Sequence, residues 1–127
     1  MIITVCFLFS ICALCEDLAK PVLVEIWCRG DDLATRGLRD ALENSFESSA
    51  EFTLNHGKNP SKLILTIPDH VDWKKIGDRT KIYYIVEFSS AEKKKIRTQK
   101  GSCWKDDYVK CTEQIIKATK SVVRKLN

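Results

Sequence analysis

Two stretches of this chain place apolar residues at every third or fourth position, and the segments between them alternate at every second. From Leu33 to Ser48 the apolar or small positions are Ala34, Leu38, Ala41, Leu42, Ser45 and Phe46, while Arg36, Arg39, Asp40, Glu43 and Glu47 fill the rest. From Asp106 to Leu126 the stripe is Tyr108, Cys111, Ile115, Thr119, Val122 and Leu126, widened by Val109, Ile116 and Val123. Lys110, Glu113, Lys117, Lys120 and Arg124 lie on its outward side. A one-sided helix must bury its stripe against another layer. The partners available are strands: Pro21–Cys28, Glu51–Asn55, Lys62–Ile67, Lys81–Phe88 and a basic return over Lys93–Thr98. The order is β-α-β-β-β-β-α. It predicts a single α+β domain: one mostly antiparallel sheet of four or five strands, with both helices packed on one face. Asp31 or Asp32 caps the first helix, and Asp106 or Asp107 the second. Gly37, inside the first helix, implies close packing against a neighbour.

Length limits the chain to one such domain, because 127 residues hold a single core. The N-terminus stands apart. Ile2–Leu14 is an apolar run interrupted only by Thr4 and Ser10, with Glu16 and Asp17 directly after it. It is shorter than the roughly 20 residues a membrane span needs. It has the character of a signal peptide over residues 1–15, cleaved after Cys15, leaving a mature domain over residues 20–127 with no transmembrane span. Leu14 is larger than the residue a lipoprotein signal favours before a lipidated Cys15.

Export leaves Cys28, Cys103 and Cys111 in an oxidising compartment, where disulfides persist. Cys103 precedes the second helix and Cys111 falls in its second turn, so a bridge between them would pin the strand-to-helix corner. A loop this short is worth about 2.5 kcal/mol. Cys28 would then remain a small buried hydrophobe. The alternatives are a bridge from Cys28 to one of the pair, or three free thiols. No CxxC occurs and both histidines sit in turns, so neither a metal nor another cofactor is expected.

Charge is uneven along the chain. Residues 1–88 hold 10 Lys and Arg against 13 Asp and Glu, whereas residues 89–127 hold 11 against 4. The basic part supplies a candidate interaction surface: Lys93, Lys94, Lys95, Arg97 and Lys100 on the returning strand, with Lys117 and Lys120 on the last helix. An envelope protein or an anionic envelope component would suit it. Lysines on an exposed edge strand also prevent unwanted pairing with other chains, and that alone accounts for them. Nucleic acid is not an expected partner, because export removes it and no recognition motif is present. Trp73 and Tyr83 are candidates for an exposed aromatic patch that takes a sugar or peptide. The stretch from Asp69 to Thr80 reads as a loop without period. Its Asp69, His70, Asp72 and Asp78 offer acid–base or metal chemistry, although aspartates serve loops as turn-makers too.

With its elements in this order, the chain resembles the small periplasmic amino-terminal domain of TolB. It also resembles envelope lipoproteins that assist curli secretion or activate peptidoglycan synthases. The likeness is carried by a strand leading into GDDLATRGLRDALENSFESSAEFTL, then KLILTIP, KIYYIVEF and KKKIRT, and the closing DYVKCTEQIIKATKSVVRKL. It is a likeness of layout over most of residues 21–126, and it implies a periplasmic setting and a protein partner. No site residue carries over. The expected function is an exported, non-enzymatic binding or assembly module of the bacterial cell envelope, with no catalytic residues. The alternatives are a secreted effector or inhibitor of a host or competitor protein, and a small hydrolase using the Asp69–Asp78 stretch.

Overall fold

The computed structural model describes residues 21–57 and 60–126, so the expected signal segment and Cys15 lie outside the described residues. The described elements are β1 (Val22–Cys28), α1 (Leu33–Glu47), β2 (Phe52–Leu54), β3 (Leu63–Ile67), β4 (Asp72–Ile76), β5 (Arg79–Ser90), β6 (Lys95–Trp104) and α2 (Tyr108–Leu126). They build an α+β domain with one open six-stranded sheet, in which three of the five strand pairings are antiparallel. The sixth strand is β4, which occupies the stretch expected from sequence to be a loop.

The two parallel pairings follow from the connections. A helix between two strands returns the chain to the end where it started, so β2 runs parallel to β1 along Val22–Val24. Residues 55–57 and 60–62 belong to the link between β2 and β3, and β3 lies on the other side of β1, where it also runs parallel to it. Backbone bonds tie both ends of this link to β1: Asn55 N donates to the Val24 carbonyl at 2.7 Å and Lys62 N to the Leu23 carbonyl at 3.1 Å. Buried Asn55 donates through Nδ2 to Ser61 Oγ at 2.6 Å, and Ser61 Oγ donates to Glu25 Oε1 at 2.8 Å. Polar groups buried here are therefore paired, as burial requires.

β5 is the axis of the sheet. β6 lines one of its edges from Lys81 to Ser89. The opposite edge is shared, with β3 on Glu87–Ser90 and β4 on Arg79–Tyr83. β4 and β5 form a hairpin through Gly77-Asp78, and Gly77 alone of the two has a positive φ, +63°. A two-residue turn with glycine first is the type II′ geometry that suits strand twist.

Ile82, Tyr84, Val86 and Phe88 of β5 point to one face and are fully buried with Leu63, Leu65 and Ile67 of β3. Leu38, Leu42 and Phe46 of α1 and Cys111, Ile115 and Val122 of α2 close over that face. Val109 and Leu126, assigned to the apolar stripe of α2, are exposed at its ends. Gly37 does pack closely. A Cβ there would lie 2.6 Å from the Tyr108 hydroxyl, which donates to the Ala34 carbonyl and holds the start of α2 against the start of α1.

Asp32 is the N-cap of α1. Its carboxylate accepts from Thr35 N at 3.2 Å and from Thr35 Oγ1 at 2.7 Å, while Thr35 Oγ1 itself accepts from Val71 N at 2.9 Å. Asp106 does not cap α2: its carboxylate accepts from Arg79 Nη2 at 2.8 Å instead. Cys103 and Cys111 are joined by a disulfide with their Cα atoms 5.5 Å apart. β6 runs three residues past Gly101, so Cys103 lies inside the strand rather than in the corner after it. Cys28 is a free thiol, half-buried on the helix side of β1, and donates to the Gly30 carbonyl at 3.4 Å. Burial pushes its pKa up.

Candidate functional site

Both described helices lie on one face of the sheet, and among the described residues no element covers the other. Alternation decides what stands on it. On β5 the residues between the buried ones are Lys81, Tyr83, Ile85 and Glu87, and their partners on β6 are Trp104, Ser102, Lys100 and Thr98. β4 adds Asp72, Lys74 and Ile76, opposite Tyr83, Lys81 and Arg79. β1 adds Leu23, Glu25 and Trp27. Four large side chains there remain well exposed: Trp27 at 46%, Ile76 at 44%, Tyr83 at 40% and Ile85 at 44%.

Cations interleave with these rings. The Arg79 guanidinium carbon lies 4.1 Å from the Trp104 centroid. Lys81 Nζ lies 5.6 Å from the same ring and 5.9 Å from that of Tyr83. Lys93 Nζ lies 5.8 Å from the ring of Trp27, whose indole N–H donates to Glu25. These are cation–π distances, and an occupied ring face is a poor platform for a stacked sugar. A depression of about 400 Å³ opens among His70, Asp72, Tyr83, Ile85, Lys100 and Ser102.

The basic residues singled out from the sequence do not form one surface. Lys93 and Lys94 occupy the β5–β6 turn, Lys93 with φ +65°, closed by Ser90 N donating to the Lys94 carbonyl at 2.9 Å. Lys95 pairs with Glu87 at 2.7 Å and Lys120 with Glu51 at 3.3 Å. Lys100 stands on the uncovered face, opposite Ile85. Arg97 and Lys117 flank a groove of about 300 Å³ between β6 and α2, with Gln99, Gln114, Ala118 and Ser121. The aromatic pair also separates. Tyr83 is on the uncovered face, but Trp73 is opposite Ile82 and so on the helix side, 65% exposed beside Asp32, Leu33 and Lys105. Period-two alternation makes this division unavoidable, because 73 pairs with 82 and not with 83.

The Asp69–Asp78 stretch does not converge on a centre. His70 Nδ1 lies 3.2 Å from Asp32 Oδ1 and Nε2 lies 3.5 Å from Asp69 Oδ1, so both ring nitrogens already face carboxylates. Asp72 sits on β4 and Asp78 in the hairpin turn. Among the described residues no group of three or more His, Cys, Asp or Glu could hold a metal ion. No described helix is long and apolar enough to cross a membrane.

Trp27, Ile85, Lys81 and Trp104 are not among the candidates that the sequence singles out. A signal for them existed: in KIYYIVEF the buried set takes every even position, which commits Tyr83 and Ile85 to the opposite face.

No protein-family model matches this chain, and no curated protein matches it. Among solved structures, the fold is similar to the crystal structure of protein XCC0632 from Xanthomonas campestris, assigned to the family model DUF330. The TM-score is 0.57 at 10% identity, over 83% of this chain and 86% of that one. Hypothetical protein CT253 from Chlamydia trachomatis aligns with a TM-score of 0.41 at 10% identity, over 68% of this chain and 73% of that one. At this identity the likeness to XCC0632 is one of fold alone.

Proposed function

We propose that this protein is an exported, non-enzymatic binding or assembly module of the bacterial cell envelope, and that a partner protein docks on the uncovered face of its sheet. One observation carries the reading: Trp27, Ile76, Tyr83 and Ile85 stand exposed on that face while the opposite face is closed by two helices. Large apolar side chains kept in water are unfavourable unless a partner covers them, and Trp and Tyr are the residues that anchor interfaces. Lys74, Lys81 and Lys100 around them favour a partner with an acidic rim. The export part rests on the apolar N-terminal run and on the Cys103–Cys111 disulfide, which an oxidising compartment preserves. The layout resemblance to envelope domains points the same way.

The test is photo-crosslinking from residue 83 or 85 in the protein's own host, with residue 113 on the outward side of α2 as control. Cells are separated into culture medium, osmotic-shock fraction and cytosol. The reading expects a discrete adduct from 83 and 85 in the shock fraction, absent from 113 and abolished by Ile76→Glu. Protein recovered from the medium would support the effector alternative instead. Identical adduct patterns from all three positions, or a cytosolic protein, would refute the proposal.

A further inference from the structure

A second surface lies at the edge of the sheet, and its chemistry is independent of whether the uncovered face binds anything. Among the described strands β6 pairs with β5 alone, so its outer edge is open along a strand of ten residues. Which residues face outward is set by the ladder. Lys105 N donates to the Thr80 carbonyl at 2.8 Å, and in an antiparallel pair such bonds recur at every second residue. The odd residues of β6 therefore turn their backbone groups to β5, and Thr98, Lys100 and Ser102 turn theirs away. The Ser102 carbonyl confirms this, because Gln114 Nε2 reaches across from α2 and donates to it at 3.1 Å. Gln114 thus caps one end of the edge. Thr98 and Lys100, both exposed, face the open edge, and the bond that the Lys100 carbonyl accepts there from Gln99 Nε2 is a long one, 3.4 Å, which an incoming strand would displace.

Charge selects that strand. On the helix side of the edge, Arg97 and Lys117 face the groove, and Arg97 Nη2 bonds only the neutral Gln99 at 3.0 Å. Lys100 stands on the other side. Neither Lys100 nor Lys117 makes an ion pair among the described residues. A second copy of β6 would bring Lys95, Arg97 and Lys100 against their own kind, and a basic strand would fare no better. The lysines that keep the edge from self-pairing leave it open to acidic strands.

We propose that an extended acidic segment of another protein adds to β6 as a seventh strand, bonding the backbone of Thr98 and Lys100. Its carboxylates at alternate positions enter the groove to meet Arg97 and Lys117. Main-chain bonds supply affinity in this mode and alternate side chains supply selectivity.

Three blocked peptides test it: alternating Glu and Val, the same with Lys for every Glu, and the same with Pro for every Val. The proline peptide keeps the charge but cannot donate the strand's hydrogen bonds. Hydrogen exchange and 1H–15N spectra of the full protein are the readouts. The Glu–Val peptide is expected to slow exchange at the Thr98 and Lys100 amides and to shift resonances along β6. The lysine peptide should do neither. The proline peptide should bind at least about tenfold more weakly and protect neither amide. Arg97→Gln with Lys117→Gln should weaken the Glu–Val peptide by about tenfold or more, while Arg97→Lys restores part of the loss. Equal binding by the proline peptide would reduce the effect to charge attraction and overturn strand addition. No binding at millimolar peptide, or shifts confined to the uncovered face, would overturn it as well.

Discussion

A single carboxylate joins three parts of the chain. Asp32 caps α1 through Thr35, Thr35 holds Val71 on the approach to β4, and His70 rests against Asp32. Asp32→Ala is expected to lower stability by about 1–2 kcal/mol, the usual range for a lost N-cap, measured by urea denaturation at pH 7. The bonds from Thr35 hold the Asp32 carboxyl below the ordinary carboxylate pKa. A carboxyl with a lowered folded pKa adds stability above its unfolded pKa, and that part fades as pH falls below about 4. Asp32→Asn keeps the cap but not the charge, so its deficit relative to the native protein should shrink between pH 7 and pH 3. A deficit that stays constant with pH would remove charge from the account. Gly37 works by lacking a side chain. Gly37→Ala improves helix propensity by up to about 1 kcal/mol, yet its Cβ meets the Tyr108 ring at 2.6–2.9 Å. Tyr108 is held by its bond to Ala34, so an overpacking cost of about 1–3 kcal/mol should exceed that gain and leave the variant up to about 2 kcal/mol less stable net. Restoring stability by Tyr108→Leu in the same chain would place the strain at this contact.

Elements with one buried face were legible in the sequence, and the element without one was not. α1, β3, β5 and α2 each show their period because burial imposes it, and the single α+β domain follows from them. β4 carries Asp72, Trp73, Lys74, Lys75 and Ile76, every one exposed, so neither face wrote an apolar period into it. Its signature lay in the turn: Gly77-Asp78 between the two arms of a hairpin. The parallel pairing of β1 with β3 was hidden for a different reason, since it depends on which side of β1 the third strand takes and on bonds no local pattern encodes. The disulfide was legible because the eight-residue spacing brings Cys111, in the second turn of the helix, back to Cys103 just before it, although the strand position that buries Cys103 opposite Ile82 was not read. It links β6 to the first turns of α2, and its removal should lower stability by about 2–3 kcal/mol. The urea midpoint of the native protein in reductant and that of Cys103→Ser with Cys111→Ser should fall together, both below the midpoint of the oxidised protein. A midpoint indifferent to reductant would show that packing alone holds the corner.

The candidate site was legible only in part, and the arrangement of the whole molecule explains why. Charge counting found the basic β6–α2 unit, but a count carries no face, so residues that now divide among a turn, a groove and two ion pairs looked like one surface. Faces depend on the sheet, and the sheet depends on β5. This strand pairs with β3, β4 and β6, and its Ile82, Tyr84, Val86 and Phe88 are sealed beneath the helices. Exposing the backbone of Tyr84, Val86 and Phe88, which turns toward β6, requires β6 to leave and α2 with it, because the disulfide ties the two. β4 touches the sheet only along one arm of its hairpin and buries none of its side chains. Opening should therefore be graded, with β4 at the low end and the centre of β5 at the top. Native-state hydrogen exchange should find the Tyr84, Val86 and Phe88 amides exchanging only through global unfolding, and those of β4 exchanging through local opening. Reduction of the disulfide should speed the β5 amides and leave β4 unchanged. If β4 proves as protected as β5, the hairpin is held by contacts beyond those described, and the uncovered face is smaller than its exposed residues imply.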